Sequence, residues 1–193
     1  MKWSRQPRHS GSAALGGRFD FPLAGTLSVR IPTNELIGRI HPAWKRIRKH
    51  GVLHADWDWS ELAPAHNDCF VVVDERSEPV AIWCGKHSTP LALGGNKYYR
   101  LDYLEIHPSL GGLALGAALL ILISVRALEV GADGIVLAAL PVDRVREFYR
   151  DRGATEGAPA GWSFDPELIP FTFDRAALQR MREIADELRQ SET

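Results

Sequence analysis

A glycine-rich segment between an apolar strand and an apolar helix is the most informative stretch of the chain for chemistry. It reads His-Pro-Ser-Leu-Gly-Gly-Leu-Ala-Leu-Gly over residues 107–116, after a strand-like run at 103–106. The first amides of a helix have no acceptor within the helix, and the helix dipole adds partial positive charge there. A glycine loop at that position can therefore hold a phosphate through its main chain.

A second segment places a tyrosine near the end of another predicted helix. It reads Phe-Tyr-Arg-Asp-Arg-Gly-Ala over residues 148–154. A phenol with a reference pKa of about 10 is protonated at neutral pH and can give a proton to a leaving group. By its position alone, Tyr149 would be interpreted as a packing residue beside Phe148. Either segment alone is weak evidence of function.

Together, the two segments resemble the GNAT superfamily of acyl-CoA-dependent N-acyltransferases. The resemblance covers roughly residues 69–173 and is clearest over 101–154. In that family the first segment reads hydrophobic-His-Pro, then Arg or Gln, two variable residues, Gly, one variable residue, and Gly or Ala. Its loop amides hold the pyrophosphate of coenzyme A. The second family segment is Phe-Tyr-x-x-x-Gly-Phe, and its tyrosine lies near the thioester sulfur.

The resemblance implies where acetyl-CoA would bind. The family splays two adjacent strands, so that the thioester and pantetheine fit between them along a free main-chain edge. Here that edge would be residues 104–106, facing residues 137–139. The implied contacts with acetyl-CoA are Leu104, Ile106, Gly111, Gly112, Leu113, Ala114, Leu115 and Gly116.

The same resemblance implies catalytic roles for two residues. Tyr149 would protonate the departing coenzyme A thiolate. Glu105 would take the proton of the attacking amine, because strand alternation sets it on the face opposite its two neighbours. A solvated strand carboxylate explains Glu105 equally well, and Asp102 and His107 are alternatives. In several family members water or the substrate does the deprotonation.

Several positions depart from the family pattern. Gly111 stands where Arg or Gln is usual, Ala114 where the middle glycine belongs, and Val142 where Asn is frequent. Main-chain contacts do not need the missing Arg side chain, but loss of a cation beside a diphosphate weakens binding. These departures leave a second interpretation open, namely a catalytically inactive GNAT-fold protein that binds another ligand or partner.

An acidic and aromatic segment supplies candidates for the amine site. Residues 54–61 read His-Ala-Asp-Trp-Asp-Trp-Ser-Glu, in the region where the family builds its acceptor pocket. An anionic, aromatic wall suits a cationic amine, which makes Asp56, Trp57, Asp58 and Trp59 the predicted acceptor contacts. The alternative is a loop anchored by its indoles, with its acids in water. No metal is predicted, because ligands in one short loop lack a distant fourth.

The composition limits the class of protein. With 193 residues, 45% of them hydrophobic, and a net charge of −1, the chain fits one soluble domain without a global signal for nucleic acid or a membrane. The uncharged stretch 111–125 is shorter than the roughly 20 apolar residues that span a bilayer.

A basic run at 45–49 leaves a third interpretation open, a tRNA-acetylating toxin, although a solvated helix face explains it more simply. We expect a cytoplasmic enzyme acting on a small-molecule or peptide amine.

The order of predicted elements gives the architecture. Residues 1–18 are expected to form a flexible tail, and residues 19–193 a single α/β domain. That domain would be a GNAT-like mixed sheet with helices on both faces and a C-terminal helix after Asp174. The last helix covers the sheet or packs on a second subunit, which leaves a homodimer open. An early helix over about 33–49 is expected to break or kink at Gly38 or Pro42.

The two cysteines fall opposite each other in a predicted hairpin. Folding the chain about residues 76–77 places Cys69 and Cys84 on neighbouring strands. A cross-strand disulfide is conceivable there. In a reducing compartment two small buried thiols are the favoured interpretation.

Overall fold

The computed structural model describes residues 15–47, 57–66, 68–87, 95–110 and 113–189. Within these ranges the strands are β1 (Arg18–Phe21), β2 (Gly25–Arg30), β3 (Asp68–Val73), β4 (Pro79–His87), β5 (Tyr98–Ile106), β6 (Gly134–Ala139), β7 (Thr155–Glu156) and β8 (Ile169–Asp174). The helices are α1 (Asn34–Ile47), α2 (Trp59–Ala65), α3 (Leu113–Glu129), α4 (Asp143–Arg150) and α5 (Arg175–Leu188).

The strands form one mixed sheet in the order β1-β2-β3-β4-β5-β6-β8-β7. Neighbours from β1 to β5 are antiparallel, β5 and β6 are parallel, and β6, β8 and β7 are antiparallel again. The single α/β domain with a mixed sheet and a C-terminal helix is therefore confirmed.

Helices cover both faces of the sheet over two separate apolar clusters. On one face α3 packs against α5, and the buried side chains include Leu119, Ile123 and Leu178. On the other face α1 and α2 lie over a second cluster that contains Trp44 and Trp59. We call these the α3 face and the α2 face. Burial on both sides explains why β3 and most of β4 are continuously apolar rather than alternating.

The N-terminal prediction covers residues that are only partly described. Residues 1–14 lie outside the described ranges. Leu15 is buried, and Arg18, the last residue of the predicted tail, begins β1. The sequence did not predict β1, because a strand of four residues with two charged positions gives a weak periodic signal. Its two phenylalanines, Phe19 and Phe21, are both buried.

The predicted break in the first helix does not occur. α1 runs from Asn34 to Ile47 through both Gly38 and Pro42. Its start matches the prediction, since the Thr33 hydroxyl accepts a hydrogen bond from the Leu36 amide. Burial of apolar side chains against the α2 face outweighs the low helix propensity of the two residues.

The cysteines form a disulfide, so the favoured interpretation as two free thiols was wrong. Cys69 and Cys84 are direct partners in the β3–β4 pairing, as the hairpin count predicts. Their Cα atoms are 4.1 Å apart, and the two sulfurs are bonded to each other. Both side chains are fully buried on the α2 face.

A largely buried ion pair ties α3 to the sheet. Arg126 of α3 donates from Nε to Oδ1 of Asp68 in β3 at 2.9 Å, and its Nη2 lies 2.8 Å from the same oxygen. A second carboxylate, Glu129, accepts from Nη1 at 2.6 Å. Asp68 also affects the pKa of Tyr99. Burial raises that phenol pKa well above its ordinary value, and the negative charge of Asp68 raises it further.

Gly134 permits the close approach of three strands where β5 meets β6. A Cβ atom built there would lie 2.4 Å from the Phe173 carbonyl oxygen and 2.9 Å from a ring carbon of Tyr98. We expect Gly134→Ala to lower the free energy of unfolding by about 1–3 kcal/mol, because the core must shift to admit the methyl group. Urea denaturation would measure the loss.

The matched control is Gly38→Ala in α1, where a Cβ would meet nothing within 4 Å. Alanine is the better helix former, so this variant should be as stable as the parent or slightly more stable. Equal stability of the two variants would contradict the close packing at Gly134.

Candidate functional site

The sheet opens where β5 and β6 separate. The two strands pair at three positions, Tyr98–Gly134, Tyr99–Ile135 and Arg100–Val136. Further along, β5 stays paired with β4, and β6 stays paired with β8. No pair joins residues 101–106 to residues 137–139, although both segments are described. Main-chain groups on the inner edges of the two strands therefore face a wedge-shaped gap, where the sequence predicts the splayed edge.

The helix that follows the glycine loop begins beside this gap. α3 starts at Leu113, and its first turn contains no acidic residue. Leu104 and Ile106 pack on the α3 face against the same cluster as Leu115. Gly111 and Gly112 lie outside the described residues, so the predicted loop is seen only from its helical end.

At Gly116 the glycine-rich segment comes close to the segment that contains Tyr149. A Cβ built at Gly116 would lie 3.1 Å from the tip of the Phe148 ring. Absence of a side chain thus lets the first turn of α3 approach α4 closely. The guanidinium of Arg152 covers the same ring, 3.9 Å from its centroid, and donates from Nη1 to the Phe148 carbonyl.

Tyr149 lies in α4 on the α3 face. Its ring packs against Phe171 of β8, with centroids 4.9 Å apart, and Phe171 is the partner of Leu137 in β6. Burial raises the pKa of Tyr149 to about 12. The phenol is therefore protonated at neutral pH, as a proton donor must be.

Glu105 points to the opposite face, as strand alternation predicts. Its carboxylate accepts a hydrogen bond from the indole Nε1 of Trp59. Trp59 is fully buried at the start of α2, and Asp58 caps that helix by accepting from the Ser60 amide at 2.9 Å. Two of the predicted acceptor contacts, Trp59 and Asp58, thus stabilise α2 and its packing on the sheet. Trp57 is only half-buried and packs edge-to-face on Trp59 and Tyr103.

Some predictions fall outside the described residues. Asp56 and His54 do so, and of the basic run at 45–49 only the backbone of the first three residues is described. Within the described ranges, no three His, Cys, Asp or Glu side chains lie close enough together to hold a metal ion.

A polar cluster on the α2 face did not emerge from the sequence. The pairing of β4 with β5 shifts between Cys84 and Gly85, which leaves Asp102 as an extra, bulged residue in β5. The Asp102 side chain is only 9% exposed, yet it lies 2.6 Å from Nε of Arg100 and 3.3 Å from Nζ of Lys86. On its other side, Nε2 of His66 is 3.9 Å away.

Aromatic rings pack against both ends of this cluster. The Arg100 guanidinium lies over the rings of Phe164 and Trp162, which come from the segment between β7 and β8. The rings of His66 and Tyr103 meet edge-to-face at 5.1 Å. No spacing rule links His66 to Asp102, so only the fold could reveal that they are neighbours.

An open groove of about 390 Å³ lies on the α3 face beside the start of α3. Its lining is mainly apolar and comes from the β1–β2 turn, the strand ends and α3, namely Leu23, Ala24, Leu27, Asp74, Val80, Leu110, Ala114 and Leu115. Two of the residues predicted to contact acetyl-CoA, Ala114 and Leu115, thus have side chains that line this groove.

Several solved structures share this arrangement of strands and helices. FdhC, described as a nucleotide-linked sugar GNAT, aligns with a TM-score of 0.59 at 12% identity over 85% of this chain and 95% of its own. The ribosomal-protein-S18-alanine N-acetyltransferase from Escherichia coli gives 0.54 at 13% identity, over 77% and 93%. A mutant of the toxin AtaT, bound to the C-terminus of its antitoxin AtaR and to acetyl-CoA, gives 0.53 at 16% identity, over 80% and 97%.

The chain therefore has the GNAT fold, and the resemblance inferred from the two segments is confirmed at that level. A scan against protein-family models and a search of curated proteins both find no match to this sequence. Of the helices in the described ranges, none has the length and apolar character needed to cross a bilayer.

Proposed function

We propose that the protein transfers an acetyl group from acetyl-CoA to a primary amine, by direct attack in a ternary complex. The observation that carries the proposal is the separation of β5 from β6 beyond Arg100, next to the start of α3. Such a gap offers unpaired main-chain groups to an extended ligand and a helix N-terminus to its phosphates. The fold shared with a named N-acetyltransferase and with a toxin that binds acetyl-CoA supports the same reaction.

Acetyl-CoA would lie along the gap. The main chain at Leu104 and Ile106 would pair with the pantetheine amides, and the amides of residues 111–116 would bind the pyrophosphate. The first turn of α3 carries no acid that would repel the phosphates. Because Gly111 replaces the usual cation, we expect this binding to depend on main-chain donors.

The chemistry needs a neutral amine, a positioned thioester and a proton for the thiolate. The amine nitrogen attacks the thioester carbonyl carbon, the C–N bond forms, and the C–S bond breaks. Tyr149 would give its proton to the departing sulfur, for which its raised pKa keeps it protonated. Glu105, on the α2 face of the gap, is the carboxylate that the sequence predicts as base.

The acceptor would approach from the α2 face. We propose that Trp57 and Asp56 form part of the acceptor wall. Trp57 is the half-buried indole, whereas Trp59 and Asp58 hold α2 in place. An aromatic face beside a carboxylate favours a cationic amine.

Saturating acetyl-CoA should raise the thermal unfolding midpoint. A ligand that binds only the folded state adds RT ln(1 + [L]/Kd), or roughly 2–3 kcal/mol at a hundredfold excess over Kd. Gly112→Pro removes one loop amide, so it should reduce this shift without lowering the midpoint of the free protein. Differential scanning fluorimetry with and without ligand measures both quantities.

The same experiment tests the second candidate, a GNAT-fold protein without catalysis. The replacement of the usual Asn by Val142 motivates it: Val142 stands at the N-cap of α4, makes no side-chain cap and is 50% exposed. A protein of that kind without a coenzyme A site would show no shift. Release of thiol from acetyl-CoA in the presence of a panel of amines then separates binding from turnover.

A further inference from the structure

We propose that His66 accepts the proton of the attacking amine, and that Asp102 stabilises the imidazolium that forms. The inference rests on the proposed acetyl transfer and names a base for it. Neither residue lies in the glycine loop or in the Tyr149 segment. The fold brings them together, His66 from the end of α2 and Asp102 from the bulge in β5.

The hydrogen bond of His66 fixes which nitrogen can accept a proton. His66 follows the last residue of α2, and its Nδ1 lies 2.8 Å from the Leu62 carbonyl oxygen. A carbonyl can only accept, so Nδ1 carries the hydrogen in the neutral ring. Nε2 is then the nitrogen with a free lone pair, and it is the nitrogen that faces Asp102 at 3.9 Å. The side chain is 17% exposed, which leaves it open to a ligand.

Asp102 supplies a carboxylate oxygen whose hydrogen-bonding capacity is not filled. Oδ2 is buried and accepts no hydrogen bond from the described residues, although Lys86 and His66 flank it. A buried acceptor without a donor is costly, so a donor placed between Oδ2 and Nε2 would be bound favourably. A primary ammonium group has the hydrogens to satisfy both atoms at once.

The cluster lies near the closed end of the gap, where β5 and β6 begin to separate. Asp102 comes two residues after Arg100, the last β5 residue that pairs with β6. Its side chain faces α2 rather than the α3 cluster. A thioester held between the diverging strands would therefore meet an amine bound at His66 on the α2 face.

The charged groups around His66 come from three elements. β5 contributes Asp102 and Arg100, β4 contributes Lys86, and α2 contributes its C-terminal carbonyls, to one of which the ring is bonded. Arg100 is held by Asp102 Oδ1 and two aromatic rings, whereas Oδ2 faces Lys86 and His66.

The proton balance is complete without a further reactant. The acceptor arrives as an ammonium ion and gives one proton to Nε2 of His66, and the neutral amine then attacks the thioester carbon. As the C–S bond breaks, Tyr149 gives its proton to the thiolate, and the second amine proton restores the phenol. His66 finally releases its proton to solvent. The products are the amide, free coenzyme A and one proton.

Glu105 is the competing base, and its contacts differ. Its carboxylate already accepts from the buried indole of Trp59, a bond that positions α2 on the sheet. Nε2 of His66 lies 3.9 Å from the Asp102 carboxylate and can take a proton without breaking a hydrogen bond. The geometry therefore favours His66 over Glu105 for proton transfer.

The test compares acceptors that differ in basicity. Wild type and His66→Asn would be assayed for kcat/KM at neutral pH, with acetyl-CoA and small amines ranging from alkylamines, which arrive protonated, to anilines and hydrazides, which arrive neutral. Asparagine keeps an amide that can donate to the Leu62 carbonyl. We expect a loss of about 100-fold for alkylamines, typical of a lost general base, and less than tenfold for neutral amines.

Two controls isolate the role of His66. His87→Asn changes an exposed histidine of β4 outside the cluster and should leave every rate unchanged. Asp102→Asn as a single substitution should lower the alkylamine rates. Added to His66→Asn it should have little further effect, because both substitutions impair the same proton transfer. His66→Gln replaces His66→Asn if the latter unfolds.

The possible failures can be told apart. Equal losses for all amines in His66→Asn would overturn the role of His66 and make it structural. A dependence on amine basicity in Glu105→Gln, with none in His66→Asn, would assign the base to Glu105 instead. No turnover of any amine by the wild type would overturn the proposed acetyl transfer itself.

Discussion

Tyr149→Phe should lower kcat at least tenfold while the affinity for acetyl-CoA changes little. The substitution removes one oxygen and keeps the ring that packs on Phe171, so the loss of packing should be small. General acid catalysis by a positioned group is typically worth about 10²–10⁴ in rate. A thiolate leaves fairly well unprotonated, which places the effect at or below the low end of that range. Steady-state kinetics with thiol detection would measure kcat.

The pH dependence follows from the raised pKa of Tyr149. With a pKa of about 12 the phenol stays protonated well above neutral pH, and it is lost as a donor only as pH rises toward that value. The ratio of wild-type to variant kcat should therefore be constant from about pH 7 to about pH 10. Tyr98→Phe is the matched control, since Tyr98 packs on Trp162 away from α4. Near-full kcat in Tyr149→Phe, with chemistry rate-limiting, would make the tyrosine a packing residue.

Asp68→Asn should lower the free energy of unfolding by about 3 kcal/mol or more. The side chains of Arg126 and Asp68 are only 10% and 13% exposed, so removing one charge leaves the other buried with an incomplete set of partners. Glu129 still accepts from Nη1 of Arg126, which should keep the loss near the low end for buried pairs. Denaturation in urea or guanidinium chloride would give the value.

An exposed ion pair provides the control. Asp186 and Arg182 on α5 are 51% and 42% exposed, so Asp186→Asn should cost less than about 1 kcal/mol. The double variant Asp68→Asn with Arg126→Met should recover part of the loss, because it removes the buried cation as well. A loss in Asp68→Asn no larger than in Asp186→Asn would show that water reaches the pair.

The sequence predicted the fold because its signals were local and strong. The hairpin at residues 69–84 rests on two neighbouring strands and the α5 periodicity on one helix, and both are present. The two segments that resemble GNAT proteins gave the order of β5, α3, β6 and α4. The contacts assigned to acetyl-CoA, the roles of Tyr149 and Glu105, the cytoplasmic location and a homodimer stay predictions.

The polar cluster on the α2 face could not be predicted for a physical reason. A bulge shifts every later residue of β5 by one position, and a single-residue shift reverses which face each side chain occupies. Asp102 and Tyr103 consequently share the α2 face, which strict alternation forbids. The disulfide was mispredicted for another reason. The strand register was predicted correctly, but free thiols were favoured because a reducing compartment was expected.

The sheet order also bears on how the chain reaches its native state. β3, β4 and β5 follow one another in sequence and in the sheet, whereas two junctions close long loops. The β2–β3 junction spans α1 and α2, the β5–β6 junction spans α3, and each is held by three residue pairs. Loop-closure entropy therefore makes both junctions expensive to form early. We expect the β3–β4–β5 meander to condense first and the gap between β5 and β6, which carries the proposed chemistry, to be assembled later.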